Sequence, residues 1–223
     1  MIPLDVLLVF FPVCIFLALT PGPDNIFVLT QSALYGRWAG IFVVLGLSTG
    51  VLVHTTAVAL GVAAIFQASS IAFNTLKIIG AFYLLYLAWG ALRAKAEEIP
   101  LEDTAPSQGQ AQQGKSKKNP QRSTGKLYRR GIIMNVTNPK VSIFFLSFLP
   151  QFADPTRGSM SLQMVQLGGF FILSTLIVFG SIAWFAGSIG TRLQKSTSAQ
   201  NVMNKAAGLV FIALAVKLAT IQQ

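Results

Sequence analysis

Apolar residues in this chain are gathered into long runs. The stretches near 4–20, 38–62, 71–92, 131–152, 162–190 and 203–220 are each almost wholly apolar. A helix rises about 1.5 Å per residue, so roughly 20 such residues cross the hydrocarbon core of a bilayer. The pattern predicts an all-α, polytopic membrane protein with six transmembrane helices. The first run, LLVFFPVCIFLAL, ends on TPGPDN, Thr20 to Asn25. Proline removes a backbone donor and clashes with the preceding turn, and glycine adds freedom that a helix must give up. Pro21, Gly22 and Pro23 therefore predict an interrupted first helix, one piece ending near Leu19 and a second starting near Asp24. TNPK, Thr137 to Lys140, repeats the device more mildly around Pro139 in the fourth span.

Between the third and fourth runs the pattern collapses. Residues 94–128 are rich in Gln, Ser, Lys and Pro and poor in large apolar side chains. Such a segment buries too little apolar surface to offset the entropy of ordering, which predicts a disordered cytoplasmic linker. It separates an N-terminal three-helix unit, 1–93, from a C-terminal one, 129–223. Three is odd, so the second unit enters the membrane upside down relative to the first, the arithmetic of an inverted repeat. Placing GPDNIFVL (Gly22 to Leu29) over NPKVSIFF (Asn138 to Phe145) aligns Pro23 with Pro139 and Asp24 with Lys140. Interrupted helices at matching positions of two halves point to a transporter's substrate site near the midplane.

Composition agrees with the pattern. Only 11% of the 223 residues are charged, against about 25% in soluble domains, so the chain cannot cover itself with a water-facing surface. The net charge of +10 would suit nucleic acid if it formed a patch, but its distribution speaks for topology. Arg37 follows the first span; nine basic residues lie between spans three and four; Arg192, Lys195 and Lys205 lie between spans five and six; the opposite side holds Arg157. By the positive-inside rule both termini face the outside and the linker the cytoplasm. The KSKK run then reads as a solvated topological anchor, with no nucleic-acid partner. The first span lacks the basic n-region and A-x-A-like site of a removable signal peptide. The single cysteine, Cys14, excludes an internal disulfide and a two-cysteine redox relay.

Of seven acidic residues only Asp24 lies at depth, 13 residues before Arg37, while Lys140 lies 14 residues before Asp154. Each is then roughly 20 Å from an end of its span. Intramembrane charges are expensive, mark pathways and pair with one another. Asp24 and Lys140 are thus expected as partners, suited to a zwitterion: Asp24 takes an ammonium or a proton, Lys140 and helix N-terminal amides a carboxylate. Asn25 and Asn138 add neutral hydrogen bonds. His54 falls on the stripe Gly46, Gly50, Ala57 and Gly61, whose spacing marks close helix packing; it reads as a packed histidine, with a proton relay as the alternative. Lys77 and Lys217 lie near the outer boundary, where snorkelling accounts for them, and Lys77 is kept as a secondary substrate candidate. Tyr83, Tyr86 and Trp89 read as an interfacial belt. Small-residue stripes do not separate contacts within a chain from those of a homo-oligomer.

With these residues in view, the chain resembles the LysE/RhtB-type amino-acid exporters nearly end to end, the linker excepted. PGPDNIFVLTQSALYGRWAGIFVVLGLSTGVLVH is similar to the family's opening, LKIIGAFYLLYLAWGALR to its third span and MNVTNPKVSIFFLSFLPQF to the start of its second half. The resemblance implies outward transport of an amino acid or close derivative, with a neutral homoserine- or threonine-like cargo favoured. It further implies the proton-motive force as the drive, a bacterial inner membrane as the location, and no cofactor. Pro21, Gly22, Pro23, Asp24, Asn138, Pro139 and Lys140 occupy the motif positions.

Two other readings compete. GLSTG (Gly46 to Gly50) fits G-x-S-x-G, but that hydrolase motif works at a strand-to-helix turn. His54 sits six residues from Ser48, about 240° around a helix at 100° per residue. A cadmium-type exporter would need clustered ligands, and Cys14, Asp24 and His54 lie on different stretches without ligand spacing. Overexpression is expected to protect cells against a toxic amino-acid analogue and not against cadmium, and Ser48→Ala to leave that protection intact. Cadmium resistance alone, or total loss in the Ser48 variant, would reverse the ranking.

Overall fold

A computed structural model describes residues 2–20, 22–68, 70–94, 123–186 and 197–220. It is all helical among these residues: α1 Leu4–Leu19, α2 Pro23–Tyr35, α3 Arg37–Ala68, α4 Ser70–Arg93, α5 Thr124–Val136, α6 Pro139–Ser147, α7 Met160–Phe185 and α8 Thr197–Thr220, with short 3-10 turns at Leu149–Phe152 and Pro155–Arg157. Arg37–Gly61 and Met160–Phe185 are each long and apolar enough to cross a membrane. So are two bent pairs, α1 with α2 at 62° and the α5 to Phe152 segment at 53°. Large apolar side chains stand exposed around the outside, among them Leu8, Leu60 and Phe82 at 68%, 71% and 69%. A water-soluble fold would bury them; a lipid-facing one need not.

Both predicted interruptions are present, in the register of the repeat alignment. Pro23 and Pro139 each take the first position of the helix that follows, where a missing N–H costs nothing. Gly22 and Asn138 precede them as N-caps. Pro21, the linker residues 95–122 and the side chains of Lys77 and Lys217 lie outside the described residues.

The linker expectation needs a boundary correction: α5 begins at Thr124, inside the segment read as 94–128. Leu127, Gly131 and Asn135 are its buried residues. They are spaced by four, so the basic run TGKLYRR already carries one seam residue and winds onto it. Gly131 and Gly46 let α5 and α3 touch backbone to backbone; a Cβ on Gly131 would lie 3.1 Å from the Cα of Gly46. The predicted α3 stripe also holds only in part. Gly46, Gly50 and His54 meet α5, whereas Ala57 is exposed and Gly61 has nothing near it. The reason is that α5 stops at Val136, and beyond His54 α3 turns Thr55 and Val58 inward, with Thr55 against Gly168 of α7.

Two apolar cores result. One gathers Phe10, Phe144, Phe145, Phe148, Phe152, Phe171 and Phe211 with their aliphatic neighbours. In it Phe10–Phe152 and Phe145–Phe171 meet edge to face with ring centroids 5.0 Å apart. The other gathers Phe27, Val28, Val43, Val44, Leu47, Val178 and Phe179. The loop before α7 is closed by Asp154, which accepts from the N–H and hydroxyl of Thr156 and pairs with Arg157 at 2.9 Å. Those contacts, Thr156 foremost, hold its carboxyl below the usual carboxylate range.

Gly131→Ala is expected to lower the detergent melting temperature, since its Cβ meets the Val43 carbonyl and overpacking costs about 1–3 kcal/mol. Gly90→Ala, inside α4 with nothing within 4 Å, should melt at or slightly above the parent, since a helix interior favours alanine over glycine by about 1 kcal/mol. Equal melting of both would mean that the α3–α5 contact is not tight.

Candidate functional site

A helix that stops inside an apolar layer leaves its last carbonyls without partners, and each must find a donor. At the first break Thr20 bonds back to Phe16 through both its N–H and its hydroxyl. The carbonyl of Ala18 accepts from Asn25 Nδ2 at 2.7 Å. The carbonyl of Thr20 itself accepts from Lys140 Nζ at 2.9 Å, across 120 residues of sequence. At the second break Thr137 returns to Ile133, and the carbonyl of Asn135 receives the N–H of Asn138 and His54 Nε2 at 3.1 Å. Asn138 Oδ1 caps α6 by accepting from the N–H of Lys140 at 3.0 Å.

Between the breaks lies a small, partly open pocket with Gly22, Asp24, Asn25, Asn135, Asn138 and Lys140 on its polar side. Leu17, Ala18, Val141, Phe171 and Phe179 form its apolar wall, drawn from both cores, with Thr175 between them. Thr175 has already donated its hydroxyl hydrogen to Phe171, so only its oxygen lone pairs remain. Asp24 is buried at 4% exposure. One carboxylate oxygen, Oδ2, accepts from Asn135 Nδ2 at 3.4 Å, and the other, Oδ1, is buried without a partner. Asn25 Oδ1 is in the same condition.

The structure places Asp24, Asn25, Asn138 and Lys140 around one pocket. Asp24 and Lys140 share the pocket without pairing; among the described residues the ion pair is Arg157–Asp154. The freed carbonyl of Thr20 takes the ammonium instead. Asn25 serves its break through Nδ2 and Asn138 through Oδ1, and the Asn25 oxygen is left buried without a partner. His54 stands outside the pocket lining, half-buried, its ring 5.6 Å from that of Phe145. Ser48 lies buried inside continuous α3, and the hydrogen bond of His54 goes to Asn135. Among the described residues no group of three His, Cys, Asp or Glu side chains is placed to hold a metal ion.

The LysE type translocator family model matches residues 15–222. The chain belongs to the LysE type translocator family. Its relatives include the homoserine/homoserine lactone efflux protein of Salmonella typhimurium, 31% identical over 92% of this chain and 91% of that protein. The leucine efflux protein of Salmonella choleraesuis is 31% identical over 93% and 92%. The uncharacterized membrane protein YrhP of Bacillus subtilis is 27% identical over 95% and 97%. No solved structure matches the chain significantly. As a LysE type translocator this is a membrane protein of a transporter family, whose relatives are named for the efflux of amino acids and their derivatives.

Two residues of this LysE-family pocket escape a reading of single charges. Asn135 stands in the MNVTNPK stretch, and its signal was a polar side chain one position before the end of an apolar helix. Thr175 has no comparable signal, because hydroxyls bonded to their own helix occur throughout apolar spans. Lys140→Met should lower the melting temperature by an amount equivalent to about 1–3 kcal/mol, the cost of stranding the Thr20 carbonyl, while Lys140→Arg keeps most of it. An unchanged melting temperature in the methionine variant would show that this carbonyl finds another donor.

Proposed function

We propose that this chain exports a neutral amino acid or close derivative across the bacterial cytoplasmic membrane by proton antiport. The observation that carries the proposal is the unpartnered Asp24 oxygen in a pocket where two interrupted helices meet beside a lysine ammonium. A zwitterion matches that charge layout, its ammonium at Asp24 and its carboxylate toward Lys140 Nζ, which has two further N–H groups to give. Asp24 is the one carboxylate in the lining, which disfavours a second positive charge on the cargo. The wall of Leu17, Val141, Phe171 and Phe179 suits an aliphatic side chain, and the Thr175 oxygen is able to accept from a homoserine- or threonine-like hydroxyl.

The architecture in this reading is six spans in two inverted repeats: α1–α2, α3 and α4, then α5–α6, α7 and α8. The matched Pro23 and Pro139 starts support it. Arginines stacked on aromatic rings, Arg37 on Trp184 and Arg93 on Trp89 at 4.4 and 3.7 Å, suit the cytoplasmic boundary, with both termini outside. Rocking of one repeat against the other exposes the pocket to either face, and Asp24 carries ammonium one way and a proton the other.

In inverted vesicles, a panel of radiolabelled leucine, homoserine, threonine and lysine should show pH-gradient-dependent uptake of a neutral member and little lysine. Asp24→Asn should abolish that uptake while leaving the protein folded. Parental uptake by the Asn variant would remove Asp24 from the coupling, and uptake indifferent to the gradient would remove the antiport.

A further inference from the structure

We infer that Asn135 is a positioning residue that sets substrate preference by aiming Asp24, and that Gly50 and His54 of α3 hold it in place. The inference rests on the reading of Asp24 as the ammonium site.

Asn135 of α5 is 2% exposed and touches two other helices, α2 and α3. Its amide Nδ2 donates to Asp24 Oδ2 on α2. A carboxylate anchored through one oxygen has its plane set, so the direction of the remaining oxygen, Oδ1, is set as well. That oxygen is the one left buried without a hydrogen-bond partner, the one the proposed ammonium would meet. The amide cannot serve in the opposite sense, because its own oxygen would then face the carboxylate. The amide plane is fixed from behind by α3. A Cβ on Gly50 would come within 2.6 Å of the Asn135 Cβ and 2.7 Å of its Oδ1, so only glycine at that position leaves the amide this orientation. One turn along α3, His54 Nε2 reaches the backbone carbonyl of the same Asn135 at 3.1 Å. A carbonyl only accepts, so Nε2 carries the hydrogen and the imidazole tautomer is defined. His54 thereby satisfies a freed carbonyl at the end of α5 and pins the residue that aims Asp24, without entering the pocket itself. This role differs from both packing alone and a proton relay.

The test compares export of the preferred neutral amino acid with competition by its 2-hydroxy acid counterpart, which has the same side chain and carboxylate but no ammonium. A loss of folded protein lowers transport without changing this preference; a misdirected Asp24 changes the preference itself. Asn135→Ala is expected to reduce the preference for the amino acid about ten-fold, the scale of one lost hydrogen bond to a charged group. His54→Ala should move it in the same direction, and His54→Gln, whose amide N–H is able to reach the same carbonyl, should restore it. Asn135→Ala with the parental preference, in a background where Asp24→Asn has lost it, would overturn the positioning role. Retention of the preference by Asp24→Asn as well would overturn the ammonium reading beneath it. Failure of His54→Gln to restore what His54→Ala loses would remove the histidine from the arrangement.

Discussion

A backbone carbonyl released inside an apolar layer has no water to turn to, and the architecture of this protein follows from where such carbonyls find donors. Two helix breaks create the problem, and three polar side chains near the centre of the molecule answer it. Asn25 serves Ala18, Lys140 serves Thr20, and His54 serves Asn135. Each unmet group would cost several kcal/mol in hydrocarbon. The polar centre is therefore first a repair of the backbone, and a binding site only with the hydrogen-bonding capacity left over.

That remainder is unequal between donors and acceptors. Asn25 has given one amide hydrogen to Ala18 and kept its oxygen; Asp24 has one oxygen held and one without a partner. The repair is also reciprocal. Lys140, at the second position of α6, closes the break between α1 and α2, while Asp24, at the second position of α2, leans on the last turn of α5. Each half of the chain completes the other, so the seam between them is polar where the two apolar cores on either side are not. The proposed rocking of one half against the other would have to remake these bonds.

Much of this was legible in the sequence because its causes are local. Proline and glycine announce a break wherever they stand in an apolar run, and a lone carboxylate at depth is conspicuous; Pro23, Pro139 and Asp24 were found on those grounds. The start of α5 was not, because the seam residue Leu127 is a single apolar position among basic ones. The partners were harder still. A direct Asp24–Lys140 pair is the natural guess from two charges at equal depth, and only three-dimensional placement shows that the Thr20 carbonyl stands closer to the ammonium. Asn135 is ordinary as a letter and important as a position, since its value comes from Gly50 and His54 eighty-odd residues earlier.

The missing ion pair has a consequence for transport. Were Asp24 and Lys140 bonded directly, a cargo would have to break a buried pair, and stranding either partner costs about 3–5 kcal/mol. Here the lysine rests on a neutral carbonyl and the aspartate on a long amide contact. Both charges are held in place, yet neither is neutralised by the other. The zwitterion of the proposed function would meet two complementary charges already spaced apart, with no Asp24–Lys140 salt bridge to break on the way. In the proposed antiport, a proton arriving at Asp24 after the cargo has left binds an oxygen that has no hydrogen-bond partner to lose. On the antiport proposal, that is what opposite charges kept near but unjoined contribute: one pocket that takes cargo and proton in turn.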